Sequence, residues 1–295
     1  MIRANLFIII FLPGFLINGQ VAAKDIQQLN REQEIAEKLT RIADADEIIS
    51  LNAAGTRFIG LYNSARGGAE NETVNKSGEI SGVVILVHGM GAHPDWPDVI
   101  SPLRTQLTKS GWSTLSIQMP ILSPEESVAE YGKTLDIAHS RIQAAVNYLH
   151  AWEMNPIILL GYSFGSAQVA GYLASNQPEN VAAFISVSML AQKFIKPKLD
   201  VNKLIGEINI PMLDVYGEED LADVRQGIDD RRLAASKNGH NSFQQIELQQ
   251  AGHNYSGAEK ALAEQIQVWL QQIAPVTGGS SEISEISPEI SYEKQ

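Results

Sequence analysis

The strongest chemical signal in this chain is a serine flanked two residues away on each side by glycine. Ser163 stands in Gly161-Tyr162-Ser163-Phe164-Gly165. Acyl transfer by serine needs a hydroxyl presented on a backbone that also offers hydrogen-bond donors to a developing oxyanion. A sharp turn from a strand into a helix does both, provided the residues two before and two after the serine are small; here they are Gly161 and Gly165. The string alone is weak, because composition produces it often. Its surroundings give it weight: the apolar run 157–160 reads as a buried strand, and 166–175 reads as a helix. A glycine-rich turn with an idle serine is the competing reading.

Upstream, His88-Gly89-Met90-Gly91 follows the apolar run 83–87. A flexible loop at a strand end can fold its amides against the nucleophile. The backbone amides of Phe164 and Met90 are therefore the expected oxyanion donors. His88 is expected to support the loop by hydrogen bonding, with Gly89 giving the loop its freedom. His93, five residues on, raises the idea of a metal pair, but the chain has no cysteine and offers no obvious third ligand, so no metal site is expected.

A catalytic serine needs a base, and the base needs an orienting acid. Of the six histidines, His139 and His150 fall in a long helical stretch, and His240 lies in a polar turn. His253 differs. It follows the strand-like run 243–248 and precedes the closing helix, which puts it at the same sheet edge as Ser163. The acid is expected after the strand 212–216, where Gly217-Glu218-Glu219-Asp220 follows. Asp220 is the choice, Asp223 the main rival, and Glu218 and Glu219 lie close by. Asp214 sits within the strand and is less suited to reach a histidine.

The elements that must position these groups alternate. Strands are expected at 48–52, 57–62, 83–87, 113–117, 157–160, 182–187, 212–216 and 243–248. Helices are expected at 102–110, over much of 125–153 and at 166–175 and 257–273. Strands that are apolar without alternation suit a sheet covered on both faces. Strands separated by helices give a mostly parallel sheet. The fold class is therefore α/β, with about eight strands and helices on both faces. Within 125–153, Ala129, Leu135, Ile137, Ile142, Ala145, Val146 and Leu149 are expected to form the buried side. An amphipathic helix is expected over 25–45, with Ile26, Leu29, Ile35, Leu39 and Ile42 at loosely helical spacing, and a surface loop over 64–81.

Residues 1–23 read as a secretory signal: Arg3, a twelve-residue apolar run over 6–17, and the small residues Val21-Ala22-Ala23. The run is short of the roughly twenty residues that span a bilayer. Cleavage after Ala23 and export to the periplasm are the expectation, with no stable membrane span afterwards; an uncleaved anchor is the alternative. Residues 24–46 would then form an N-terminal helical segment, 47–274 the main domain, and 275–295, with its Ser-Glu-Ile repeat, a disordered tail. With 34 acidic against 22 basic residues the formal net charge is −12, which disfavours nucleic acid as a partner.

The order Ser163, Asp220, His253 resembles the α/β-hydrolase superfamily, whose nucleophile, acid and base occur in that order along the chain. The resemblance covers 47–273. The run His88-Gly89-Met90-Gly91-Ala92-His93-Pro94-Asp95-Trp96-Pro97, with Leu103 and Gly111-Trp112-Ser113-Thr114-Leu115, is similar to a functionally uncharacterised proteobacterial branch of that superfamily. The resemblance implies the fold and hydrolysis by the serine but names no substrate, and no cofactor is expected; the short cap interval 188–210 favours an ester or thioester of modest size. An acyltransferase using the same residues and a non-catalytic binding protein are the other readings. Only 188–210 separates two successive strands, so a small cap with one short helix is expected, with the Lys193-Phe194-Ile195-Lys196 stretch near the pocket.

Overall fold

The computed structural model describes residues 28, 31–65, 81–191, 193–194, 199–237 and 242–273. The signal segment, most of the 64–81 loop, His240 and the 275–295 tail lie outside the described residues. So do Ile195 and Lys196.

Eight strands form one sheet: β1 (Ile48–Ala53), β2 (Thr56–Asn63), β3 (Gly82–Val87), β4 (Trp112–Ile117), β5 (Ile157–Tyr162), β6 (Val181–Val187), β9 (Met212–Glu219) and β10 (Phe243–Gly252). Their spatial order is β1-β2-β4-β3-β5-β6-β9-β10. The pairings β1–β2 and β2–β4 are antiparallel, and all the others are parallel. The sheet is thus mixed at one end and parallel through the part that matters for the site.

Every residue of β3, β4 and β5 is buried. Successive side chains on a strand point to opposite faces, and two cores result. Val83, Ile85, Leu159 and Phe184 face one core, completed by helices α4 (Leu135–Ala151) and α5 (Phe164–Asn176). Val84, Leu86, Ile158 and Leu160 face the other, completed by α2 (Ile100–Gln106) and by Leu262, Ile266 and Trp269 of α9 (Glu259–Ile273). That is why these runs carry no polar alternation.

The helical stretch 125–153 is two helices, α3 (Val128–Gly132), capped by the Ser127 side chain, and α4. The break at 133–134 resets the helical phase. Ala129 and Ile137 consequently face outward, and Arg141 takes a place on the buried side. Between β6 and β9 the chain makes a two-strand hairpin, β7 (Lys193–Phe194) with β8 (Leu199–Asp200), and the short helix α6 (Val201–Leu204). Two helices absent from the sequence reading, α7 (Ala222–Arg225) and α8 (Ile228–Lys237), join β9 to β10. No helix among the described residues is long and apolar enough to cross a membrane.

The N-terminal helix α1 (31–42) buries the apolar Leu39 and the polar Glu32 against the domain. Ile42 is 74% exposed, whereas Glu32 is buried. The Glu32 carboxylate pairs with Arg141 of α4 at 2.5 Å and accepts the amide of Ile121, while its carbonyl accepts from Gln118. A second buried pair joins Arg231 of α8 to Asp214 of β9 at 2.8 Å, both fully out of solvent. Ser186 and Gln245 also donate to Asp214. Replacing Arg231 with methionine strands that carboxylate in the core. The R231M variant is expected to lose about 3–5 kcal/mol of stability, read as a lowered urea midpoint, and D214N in the same background is expected to restore part of it.

Candidate active site

The parallel strands end at a common edge, and the loops that leave it carry the chemically interesting side chains. Val87 of β3 pairs with Gly161 of β5, Tyr162 with Val187 of β6, Val187 with Val215 of β9, and Glu219 of β9 with Gly252 of β10. His88, Ser163, Ser188, Asp220 and His253 each stand at or one residue beyond those ends.

Ser163 sits between β5 and α5 at φ 56° and ψ −119°, a region that L-residues rarely occupy. The turn is possible because its neighbours lack side chains. A Cβ on Gly161 would lie 2.5 Å from the Ser166 backbone, and one on Gly165 would clash with the Val87 carbonyl oxygen. Ser166 stitches the turn from beneath, its hydroxyl donating to the Gly161 carbonyl at 2.6 Å and accepting the Val187 amide. The Ser163 amide itself donates to the Val187 carbonyl at 2.8 Å.

Ser163, His253 and Asp220 form one hydrogen-bonded line. His253 Nε2 is 3.0 Å from Ser163 Oγ, and its Nδ1 is 2.7 Å from Asp220 Oδ1. With Nδ1–H donated to the carboxylate, Nε2 is left to accept the serine proton. The Tyr162 hydroxyl donates to the His253 carbonyl at 3.1 Å, and the two rings lie 5.4 Å apart. Asp223 is not in the line; its carbonyl accepts the amide of Ala191. Glu218 accepts the amide of Gln250, and Asp214 belongs to the buried pair with Arg231.

Burial works against a charge on Asp220. Hydrogen bonds from His253, Ser188 and the Gly217 amide outweigh it and hold the carboxyl below its ordinary pKa. The Asp220 carboxyl therefore stays ionised at neutral pH.

Gly89 packs directly on Ser163, and a Cβ there would lie 3.1 Å from Ser163 Cβ. Met90 follows it at the rim, half-buried, and Phe164 opens α5, whose N-terminal end carries the positive pole of the helix dipole. His88 is a strut. Its Nε2 accepts the Met119 amide at 3.0 Å while Nδ1 lies 2.9 Å from the Gly89 carbonyl. Both ring nitrogens are thereby used within the fold. The His93 Nδ1 accepts the amide of Asp95. Two residues that the sequence pattern did not single out join this network: Ser188 donates directly to Asp220, and the Tyr255 hydroxyl lies 3.0 Å from that of Ser188.

Residues 19–133 and 122–272 match a protein family described as "Protein of unknown function (DUF3530)". The chain belongs to this family. No curated protein sequence matches the chain. The DUF3530 chain is similar in structure to Est1E from Butyrivibrio proteoclasticus with ferulic acid bound, at 16% identity and a TM-score of 0.59, over 76% of this chain and 98% of that one. It is also similar to XC6422 from Xanthomonas campestris, described as an α/β serine hydrolase without lid (13% identity, TM-score 0.57, 78% of this chain and 95% of that one). The third is dienelactone hydrolase from Anabaena variabilis (20% identity, TM-score 0.58, 77% and 97%). The fold of this DUF3530 member is that of the α/β hydrolases.

Burial pushes the His88 pKa from 6.5 down to about 3, so the folded protein keeps the ring neutral. Below about pH 6.5 the unfolded chain binds a proton that the native state refuses, and this residue's contribution to stability therefore falls with pH until about 3. An H88Q variant is expected to be less stable than wild type at pH 7 but to lose stability less steeply between pH 6.5 and 4, by up to about 1.4 kcal/mol per pH unit. Urea midpoints across that range read the difference in slope.

Proposed function

We propose that the protein is a serine hydrolase that cleaves a carboxylic ester or thioester of modest size through an acyl-enzyme on Ser163. The observation that carries this reading is the line from Ser163 Oγ through His253 to Asp220, at 3.0 and 2.7 Å, on a strained turn at the carboxyl edge of the sheet. The fold shared with esterases supports it.

His253 Nε2 takes the Ser163 proton as Oγ attacks the acyl carbon. The amides of Met90 and Phe164 bind the oxygen that gains the negative charge. As the tetrahedral adduct collapses, the imidazolium returns its proton to the leaving alcohol or thiol. Water, deprotonated by the same nitrogen, then adds to the acyl-enzyme, and collapse frees the acid and restores Ser163. Asp220 holds the imidazole in the required tautomer and stabilises the imidazolium without taking its proton.

Among the described residues the segment between β6 and β9 holds the β7–β8 hairpin, α6 and a short 3₁₀ turn, and its shortness supports a site with little cap. The signal-like residues 1–23 support export, so the substrate would be met outside the cytoplasm.

S163A is expected to abolish covalent labelling by a fluorophosphonate and to lower hydrolysis of p-nitrophenyl esters by at least about 10³-fold. H253A is expected to lose a similar amount, and a chain-length series of esters and thioesters identifies the acyl preference. Equal labelling of wild type and S163A would remove Ser163 as nucleophile.

A further inference from the structure

Seven non-glycine residues among those described have positive φ, and three of them converge on the catalytic line: Ser163 at 56°, Ser188 at 52° and Tyr255 at 53°. The first is explained by the nucleophile turn. The other two hold side chains in an unfavourable backbone region without touching Ser163, and such strain persists only where the surroundings enforce it. Both side chains lead to Asp220. The Ser188 hydroxyl donates to Asp220 Oδ2 and lies 3.0 Å from the Tyr255 hydroxyl.

The direction of these bonds follows from proton counting. An ionised Asp220 has no proton to give, so Ser188 must spend its single proton on Oδ2. At the 3.0 Å contact Tyr255 is then the donor to the Ser188 oxygen, the Val215 carbonyl being a more distant acceptor at 3.5 Å. Burial pushes the Tyr255 pKa far up, so the phenol keeps the proton this requires. Oδ2 also accepts the Gly217 amide at 3.1 Å, and Oδ1 accepts the Leu221 amide at 2.8 Å beside His253. Backbone donors thus hold one position on each oxygen. The relay from Tyr255 through Ser188 supplies the only side-chain donor to Oδ2 among the described residues.

We propose that Ser188 and Tyr255 are positioning residues. Together they clamp the outer oxygen of Asp220 so that its inner oxygen stays aimed at His253 Nδ1. The idea rests on the triad reading above, in which Asp220 orients the base. Neither residue meets substrate. Loss of the clamp lets the carboxylate rotate, and His253 then spends less time with Nε2 facing Ser163. The cost falls on the chemical step and leaves substrate binding alone.

The test compares S188A, S188G and Y255F with wild type in three measurements: kcat and KM on a p-nitrophenyl ester, the fluorophosphonate labelling rate, and the far-downfield proton resonance of the His253–Asp220 hydrogen bond. S188G removes the hydroxyl and also relieves the left-handed strain, so it separates the side chain from the backbone. Y255F deletes one oxygen and serves where the Ser188 variants fold poorly. The expected result is that S188A and S188G both lower kcat and labelling about tenfold with KM unchanged, and both shift or broaden the resonance. Y255F is expected to act in the same direction by a few-fold. Wild-type rates and an unmoved resonance in S188A and S188G would overturn the proposal, as would a loss in S188A that S188G repairs. Wild-type protein that is not labelled at all would overturn the triad reading. The resonance would still decide whether Ser188 holds Asp220.

Discussion

The close approach of α5 to the end of β3 governs much of this structure. To present Ser163 at the sheet edge, the first turn of α5 must lie against Val87 and His88 so tightly that no side chain fits at Gly165. The contact sets the Ser163 backbone in its strained conformation, and it brings Gly89 against the serine. The bulky apolar side chains of β3 and β5 hold the two strands in the register that makes the approach possible. A strained turn of this kind costs on the order of 1–3 kcal/mol, which the buried cores on both faces of the sheet offset.

Around that contact the polar groups are arranged as a set of local anchors. His88 ties the loop to Met119, Ser166 ties the turn to β6, and Tyr162 ties the His253 loop to β5. Each anchor is a hydrogen bond between a buried side chain and a backbone group. Bonds of this kind fix orientation without adding charge near the serine, so Asp220 remains the ionised partner of His253 within the line.

Much of this was legible in the sequence, for reasons that particular elements make plain. The strands β3, β5 and β6 are buried on both faces, so their apolar runs show directly. Ser163 directly follows such a run, Asp220 follows the mostly buried β9, and His253 follows the half-exposed edge strand β10, whose end was legible from the Gly252-His253 step and the closing helix. The polar pairs were not legible. Glu32 and Arg141 are 109 positions apart, and each sits in a helix whose apolar spacing suggests a different buried face. A break as short as 133–134 is enough to turn Ile137 outward and Arg141 inward. Ser188 reads as an ordinary residue after a strand; only the fold shows that β6 lies beside β9 and so delivers it to Asp220.

The Glu32 anchor also bears on the order in which the molecule can be completed. Domains tend to form from the N-terminus as the chain is made, yet the Glu32 carboxylate of α1 meets Arg141 only after α4 has followed it. Through Ile121 and Gln118 the same carboxylate-bearing helix steadies the stretch next to Met119, on which His88 rests. His253 arrives later still, on the loop after the last strand. A growing chain therefore passes through a stage in which the serine turn is already encoded and its hydrogen-bond partners are missing, and the line from Ser163 through His253 to Asp220 is complete only when the two ends of the domain have closed on its middle.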